Sequence, residues 1–302
     1  MKTQSRKQIL GYTAFALLAG IVLGIARAVI STVSLERGIE MYAHGSIAPA
    51  ILHALVAICA ILLFTAAFRP LHDNRAADDP ESVSQLTVFA STFSGFIILA
   101  YDLYLIFEAA QDNWSAIGPL IGRAPTASVT LASAVFTLCL MILAIPAAIY
   151  FFKVAQGTHK PSTPIFSTCA IVWFVLLALH IYFDTVTAFN SPTKIFRILA
   201  VLALVMHAIH ETRRMLGIPM PRLYFPAAYI AILLGVTHAV SDAVLYAQGR
   251  IVLAEGYIGI AVELAYVVYI LSRLLYLGTT RVRTPAAEPA ATEALQENRT
   301  QN

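Results

Sequence analysis

The sequence predicts an all-α fold, a polytopic transmembrane helix bundle of about eight spans with both termini in the cytoplasm. Three observations carry that expectation. Of the 302 residues, 59% are hydrophobic and only 12% charged, against roughly 25% charged in soluble domains. The apolar residues come in blocks long enough to cross a hydrocarbon core of about 30 Å, which takes about 20 residues of helix. Lysine and arginine alternate in density from one connecting segment to the next, as the positive-inside rule requires. Mean hydropathy is +0.75. So few charges could not cover the surface of a soluble protein of this size.

The predicted spans are about 9–30, 48–68, 86–109, 128–152, 165–188, 195–211, 224–246 and 257–278, read as one transmembrane domain over 1–278. Polar or proline-bearing stretches such as Arg69-Pro70-Leu71-His72-Asp73-Asn74-Arg75 and Lys160-Pro161-Ser162-Thr163-Pro164 separate them. Lipid offers no partner to unpaired backbone groups, and the alternation of a barrel strand is missing, so the spans are helices. The first span begins like a secretory signal, with Lys2 to Lys7 and then Ala26-Arg27-Ala28 as a cleavage-like triplet. Its apolar run, 9–26, is longer than a signal core and contains Gly20-x-x-x-Gly24, a spacing that lets membrane helices approach closely. It is therefore expected to stay as a helix; cleavage would leave seven spans. The sixth span is the shortest. Residues 279–302, rich in Ala, Thr, Glu and Pro, read as a disordered cytoplasmic tail.

Orientation follows from the basic residues. An inside N-terminus puts Lys2, Arg6, Lys7, Arg69, Arg75, Lys153, Lys160, Arg213, Arg214, Arg222, Arg273, Arg281, Arg283 and Arg299 on the cytoplasmic side. The other side keeps Arg27, Arg37, Arg123, Lys194, Arg197 and Arg250. The expected location is the plasma (inner) membrane, as a multi-pass protein whose partners are the lipid bilayer and a small solute or ion, with no nucleic acid. No loop has room for a soluble catalytic domain. Phosphate-loop, dinucleotide-binding, nucleophile-elbow and Cys-x-x-Cys motifs are missing. His207-Ala208-Ile209-His210-Glu211 fails as a zinc-protease helix, because Arg214 stands where a second histidine would be needed. Cys59, Cys139 and Cys169 lie inside apolar blocks without metal spacing, as small packing residues.

A charge within the bilayer costs at least about 2.5–3.5 kcal/mol on insertion scales, so each intramembrane ionisable residue is a candidate site. At about 1.5 Å of rise per residue, Asp102 falls about 24 Å from the inner boundary, and His180 and His238 about 22 Å. His53 and Glu263 lie roughly 8–9 Å below the outer boundary. Arg27 reaches a similar level, so six groups on six helices share the outer half.

Two of the six belong to pairs. His180-x-x-x-Asp184 and His238-x-x-x-Asp242 each place an imidazole and a carboxylate one helical turn apart. Two such pairs on separate helices could give a divalent metal such as zinc four ligands, His180, Asp184, His238 and Asp242. This pattern resembles the transport site of cation diffusion facilitators. The resemblance covers those four residues; the family has six spans and a soluble metal-binding domain, which this chain lacks, and it does not extend to the fold. The plain alternative is that these residues are interhelical glue, at about 0.6 kcal/mol per membrane hydrogen bond.

A second polar group, His207, His210 and Glu211 with Arg213 and Arg214, closes the sixth span. It reads as a helix end among the headgroups, with a cytoplasmic gate as the sharper reading. Three function classes follow. A carrier for a cation or proton-coupled small solute, using the outer-half polar layer, leads. A sensor or scaffold with structural polar residues and a membrane-embedded metal-dependent hydrolase are the alternatives.

Overall fold

The computed structural model describes residues 2–36, 40–68, 83–111, 115–122, 131–157, 163–184, 187–188, 190–218 and 220–279. Among these residues the chain is helical, without strands beyond one isolated bridge between Leu35 and Tyr42. The eight long helices are α1 (Lys2–Ser34), α2 (Ala48–Phe68), α3 (Gln85–Gln111), α4 (Leu131–Ala155), α5 (Thr163–Phe183), α6 (Pro192–Met215), α7 (Pro221–Ala247) and α8 (Gly256–Thr279). Each is long and apolar enough to cross a membrane. A 3-10 helix, Ser115–Ile121, packs against α4. The segment expected as a tail lies outside the described residues beyond Thr279.

The helix ends depart from the expected spans where polar residues are involved. α1 runs from Lys2 to Ser34 because a helix need not stop where the hydrocarbon does. α6 begins at Pro192, whose missing N–H suits a first turn, and therefore takes in Lys194 as well as Arg197, which the expected span already held. α5 was expected to reach 188 but ends at Phe183. There the Asp184 carboxylate accepts hydrogen bonds from the Thr187 backbone and hydroxyl, and the Lys194 ammonium donates to the Asp184 carbonyl. Asp184 thus folds a turn and does not extend the helix.

Pairwise contacts fix the arrangement. Tyr12 meets Tyr229 and Arg27 meets Asp242, so α1 and α7 run parallel. Ser94 meets Ala265 while Tyr101 meets Glu255, so α3 opposes α8. Thr137 meets His180, and Ser167 meets Thr212, so α4, α5 and α6 alternate. The odd-numbered helices all run one way and the even-numbered the other. We call the end where α1 starts and α8 finishes basal, and the opposite end distal. Going round, α3, α4, α5, α6, α7 and α8 each pack on the next, and α8 closes on α3. α1 and α2 lie outside this ring, against α7.

Packing is tightest where glycine removes a side chain. The expected Gly20-x-x-x-Gly24 spacing faces α7. A Cβ on Gly24 would lie 2.9 Å from the Val240 Cβ and 3.0 Å from the Thr237 carbonyl oxygen. Gly235 similarly accepts Val267 of α8. Aromatic rings fill the middle of the ring: Tyr101 on Trp173, Trp173 on Phe174, Phe174 on Tyr266, and Phe151 edge-on to Tyr266 and Tyr269. Cys59, Cys139 and Cys169 are free and half-buried, in helices as expected.

Candidate functional site

Above the aromatic filling, towards the distal end, ionisable side chains from five helices and one loop meet. Arg27 of α1 is fully buried and donates from Nη1 to the Asp242 carboxylate at 2.6 Å and to the Ser241 hydroxyl. Ser241 in turn donates to Asp242 at 2.9 Å. His238, one turn back on α7, holds Nδ1 3.1 Å from the other oxygen of Asp242 and Nε2 3.0 Å from Glu263 of α8. Arg197 of α6 donates from Nε to Glu263 at 2.9 Å and from Nη1 to Glu255 at 2.7 Å. Glu255, in the loop before α8, lies 3.6 Å from the His180 Nε2 of α5 and accepts the Tyr101 hydroxyl at 3.4 Å. His180 Nδ1 reaches the Thr137 hydroxyl of α4 at 3.3 Å.

Two guanidiniums therefore face three carboxylates, with a histidine between two of the acids. Ionised carboxylates only accept hydrogen bonds, so an imidazole between two of them needs an N–H at both nitrogens. A doubly protonated ring would also balance the two guanidiniums against the three carboxylates. Although the approaches are close, neither oxygen lies along a ring N–H direction, and among the described residues both His238 nitrogens lack a directed hydrogen bond. Nε and Nη2 of Arg27 and Nη2 of Arg197 are likewise enclosed without a partner. Room for the Arg197 head comes from Gly259, where a Cβ would lie 2.5 Å from Nη2.

The loop residue Glu255 is the group of this network outside the spans. Burial alone would raise its carboxyl, but the Arg197 guanidinium outweighs that and holds it down at about 2. A crevice lined by Asp184, Lys194, Arg197, Asp242 and Glu255 leads to the network from the distal end. Its free volume of ≈ 10 Å³ is room for about one water.

The residues expected in this layer fall into three groups. Arg27, His180, His238, Asp242 and Glu263 are brought together. His53 of α2, half-buried, joins indirectly: its ring stacks on Phe196 at 6.2 Å, and the Arg27 guanidinium sits 4.5 Å from the same ring. Asp102 and Asp184 stand apart. Asp102 is buried, yet Oδ1 has no hydrogen-bond partner among the described residues. It lies two turns beyond Gly95, on the α3 face turned to Phe152 of α4, while its neighbour Tyr101 takes the inward place.

The four-ligand metal arrangement is not formed. Asp184 leaves the helix for its turn, and His238 and Asp242 are engaged with Glu263 and Arg27. α5 packs on α4 and α6 and has no sizeable interface with α7. Among the described residues no three His, Cys, Asp or Glu side chains group as a metal would need.

The basal polar group packs between helices. Glu211 is fully buried, accepting Tyr269 Oη at 3.0 Å and Arg273 Nε at 3.1 Å, with Arg214 Nη1 at 3.7 Å. His207, also fully buried, meets the Tyr266 hydroxyl at 3.1 Å through Nδ1, and its Nε2 has no partner among the described residues. His210 is buried beside them. Two polar clusters, distal and basal, are thus separated by the aromatic rings.

Arg197, Glu255 and Arg273 were not expected as site residues. Arg197 and Arg273 fall inside the predicted spans 195–211 and 257–278 but were counted with the flanking basic charge. Their position within the spans was the available signal. Glu255 precedes its span, where a carboxylate costs little, and gave none. No protein-family model, curated protein or solved structure matches the chain.

Proposed function

We propose that this multi-pass membrane protein is a carrier that couples a proton held at His238 to the movement of a small solute or cation. The observation supporting this is the fully buried imidazole set between Asp242 and Glu263, at 3.1 and 3.0 Å. Losing that proton leaves three carboxylates against two guanidiniums in a low-dielectric interior, where an uncompensated charge costs several kcal/mol. The network must then rearrange, admit a cation, or take a proton back. Such linkage between a charge and a rearrangement is what a coupled carrier requires. The network is tied to five helices, so a change at His238 moves the contacts that hold the distal end closed. Basally, Glu211, Arg273 and Tyr269 close the other end in the same way.

In this reading the basal end faces the cytoplasm, as the excess of basic residues near it supports, and the protein resides in the plasma (inner) membrane. A scaffold reading has one observation in its favour: most charges in the network answer one another, as interhelical glue would. Flux separates the two. Proteoliposomes with a trapped pH-sensitive dye should show proton movement when a transported solute from a panel of small cations and metabolites is added. His238→Gln, folded by size-exclusion chromatography, should abolish it. Proton movement identical in wild type and His238→Gln would contradict the proposal and leave the scaffold.

A further inference from the structure

The membrane-facing surface between α2 and α6 carries a groove with a free volume of ≈ 430 Å³, lined by His53, Ala57, Ala60, Pro192, Leu199 and Leu234, with Phe196 beside them. That is within the roughly 300–1,000 Å³ of ligand sites. α2 packs on α1 and α7 and makes no sizeable interface with α6, so the groove opens sideways into the bilayer. Both walls follow the helix axes for eight residues, His53 to Ala60 and Pro192 to Leu199, a rise of about 10 Å. This fits within one hydrocarbon leaflet of about 15 Å. All of the lining is apolar except at the distal end, where His53 sits. Its imidazole stacks on Phe196, lies tilted against Tyr42, and makes no hydrogen bond with a described residue. A ring nitrogen at that depth, without water, calls for a partner.

We propose that this groove is a binding site for one acyl chain of a bilayer phospholipid, with the ester carbonyl accepting from the His53 imidazole. The chain enters from the only phase the groove opens to and lies along the helices as lipid chains do. Its single polar junction falls at the single polar group of the lining. The bound chain also rests against Phe196, the ring that supports Arg27 at 4.5 Å. Lipid occupancy therefore steadies the residue that pairs with Asp242.

The site stands apart from the proton reading, and its test can fail independently. The protein is reconstituted in phosphatidylcholine nanodiscs containing phosphatidylcholine with a mid-chain diazirine, irradiated, and mapped by peptide mass spectrometry. Adducts should concentrate on 53–60 and 192–199 and saturate as labelled lipid rises. Leu199→Trp, or Ala57→Trp if the first misfolds, should lower labelling about tenfold, as loss of most of the chain contact would. His53→Leu should lower it about fivefold, the worth of one hydrogen bond. Ile142→Trp, at a 61% exposed position of α4, and His238→Gln should leave it unchanged. Labelling spread evenly over the exposed faces, or unaltered by both groove-filling variants, would overturn the proposal. So would saturable labelling by a diazirine stearate with none by the phospholipid.

Discussion

Arg27 and Asp242 show what single residues contribute here. Both are fully buried, and each satisfies a charge that the other's absence would strand. Breaking a buried pair by removing one partner costs about 3–5 kcal/mol, whereas removing both is often close to neutral. Arg27→Met should therefore destabilise strongly, and Arg27→Met with Asp242→Asn should recover much of the loss. Chemical denaturation in detergent micelles measures the cycle; equal additive losses would mean the pair does not interact. Gly259 is the second case. A methyl group there would meet Arg197 Nη2 at 2.5 Å, so Gly259→Ala should weaken proton-coupled activity while Gly11→Ala, whose site is open, should not. Glu255 has a pH consequence. Its carboxyl sits at about 2 against an ordinary 4.5, so its contribution to stability is complete above the ordinary value. It fades as pH falls through about 2. The melting temperature of wild type should thus drop on acidification below 4.5, and that of Glu255→Gln should drop less.

Among the elements, α7 is the one that others are built around, touching α1, α2, α6 and α8. Its contact with α1 depends on Gly20 and Gly24, and overpacking of this kind typically costs 1–3 kcal/mol. Gly24→Leu should separate α1 from α7, lowering thermal stability and releasing Arg27 from Asp242; an unchanged melting curve would show that α1 docks otherwise. The existence of each helix was legible because about 20 apolar residues leave no other fold in lipid. So was the common level of Arg27, His238 and Glu263, which the structure brings into one network, because a charge inside a span is costly wherever it stands. Helix adjacency was not legible. The matching His-x-x-x-Asp spacings imply two equivalent pairs, but the pairs end up in different surroundings. Asp184 lies past the end of α5, and α6 separates α5 from α7 for most of their length. Arg197 and Glu255 escaped notice because charges near a span end are cheap and carry little information. Asp102 shares the depth of the network but faces α4, and depth alone does not report a helix's rotation.

At the scale of the molecule, two buried charged clusters stand at opposite ends of a six-helix ring, with packed aromatic rings, mostly edge-on, between them. The proposed orientation, with the basal end inside, rests on the distribution of lysine and arginine. Single-cysteine variants, made after replacing Cys59, Cys139 and Cys169, test that orientation with an impermeant reagent on intact cells. Asn190→Cys, in the distal loop before α6, should label from outside, and Ser162→Cys should not. Labelling of Ser162→Cys alone would invert the protein and exchange the roles of the clusters. The central claim is that His238 holds the proton that balances the distal network. Nitrogen-15 NMR of histidine-labelled protein in bilayers, with His238 assigned by its loss in His238→Gln, tests it most directly. The claim predicts a proton on both ring nitrogens in the resting protein and loss of one when a transported solute is added. A neutral single-tautomer ring that solute leaves unchanged would contradict it.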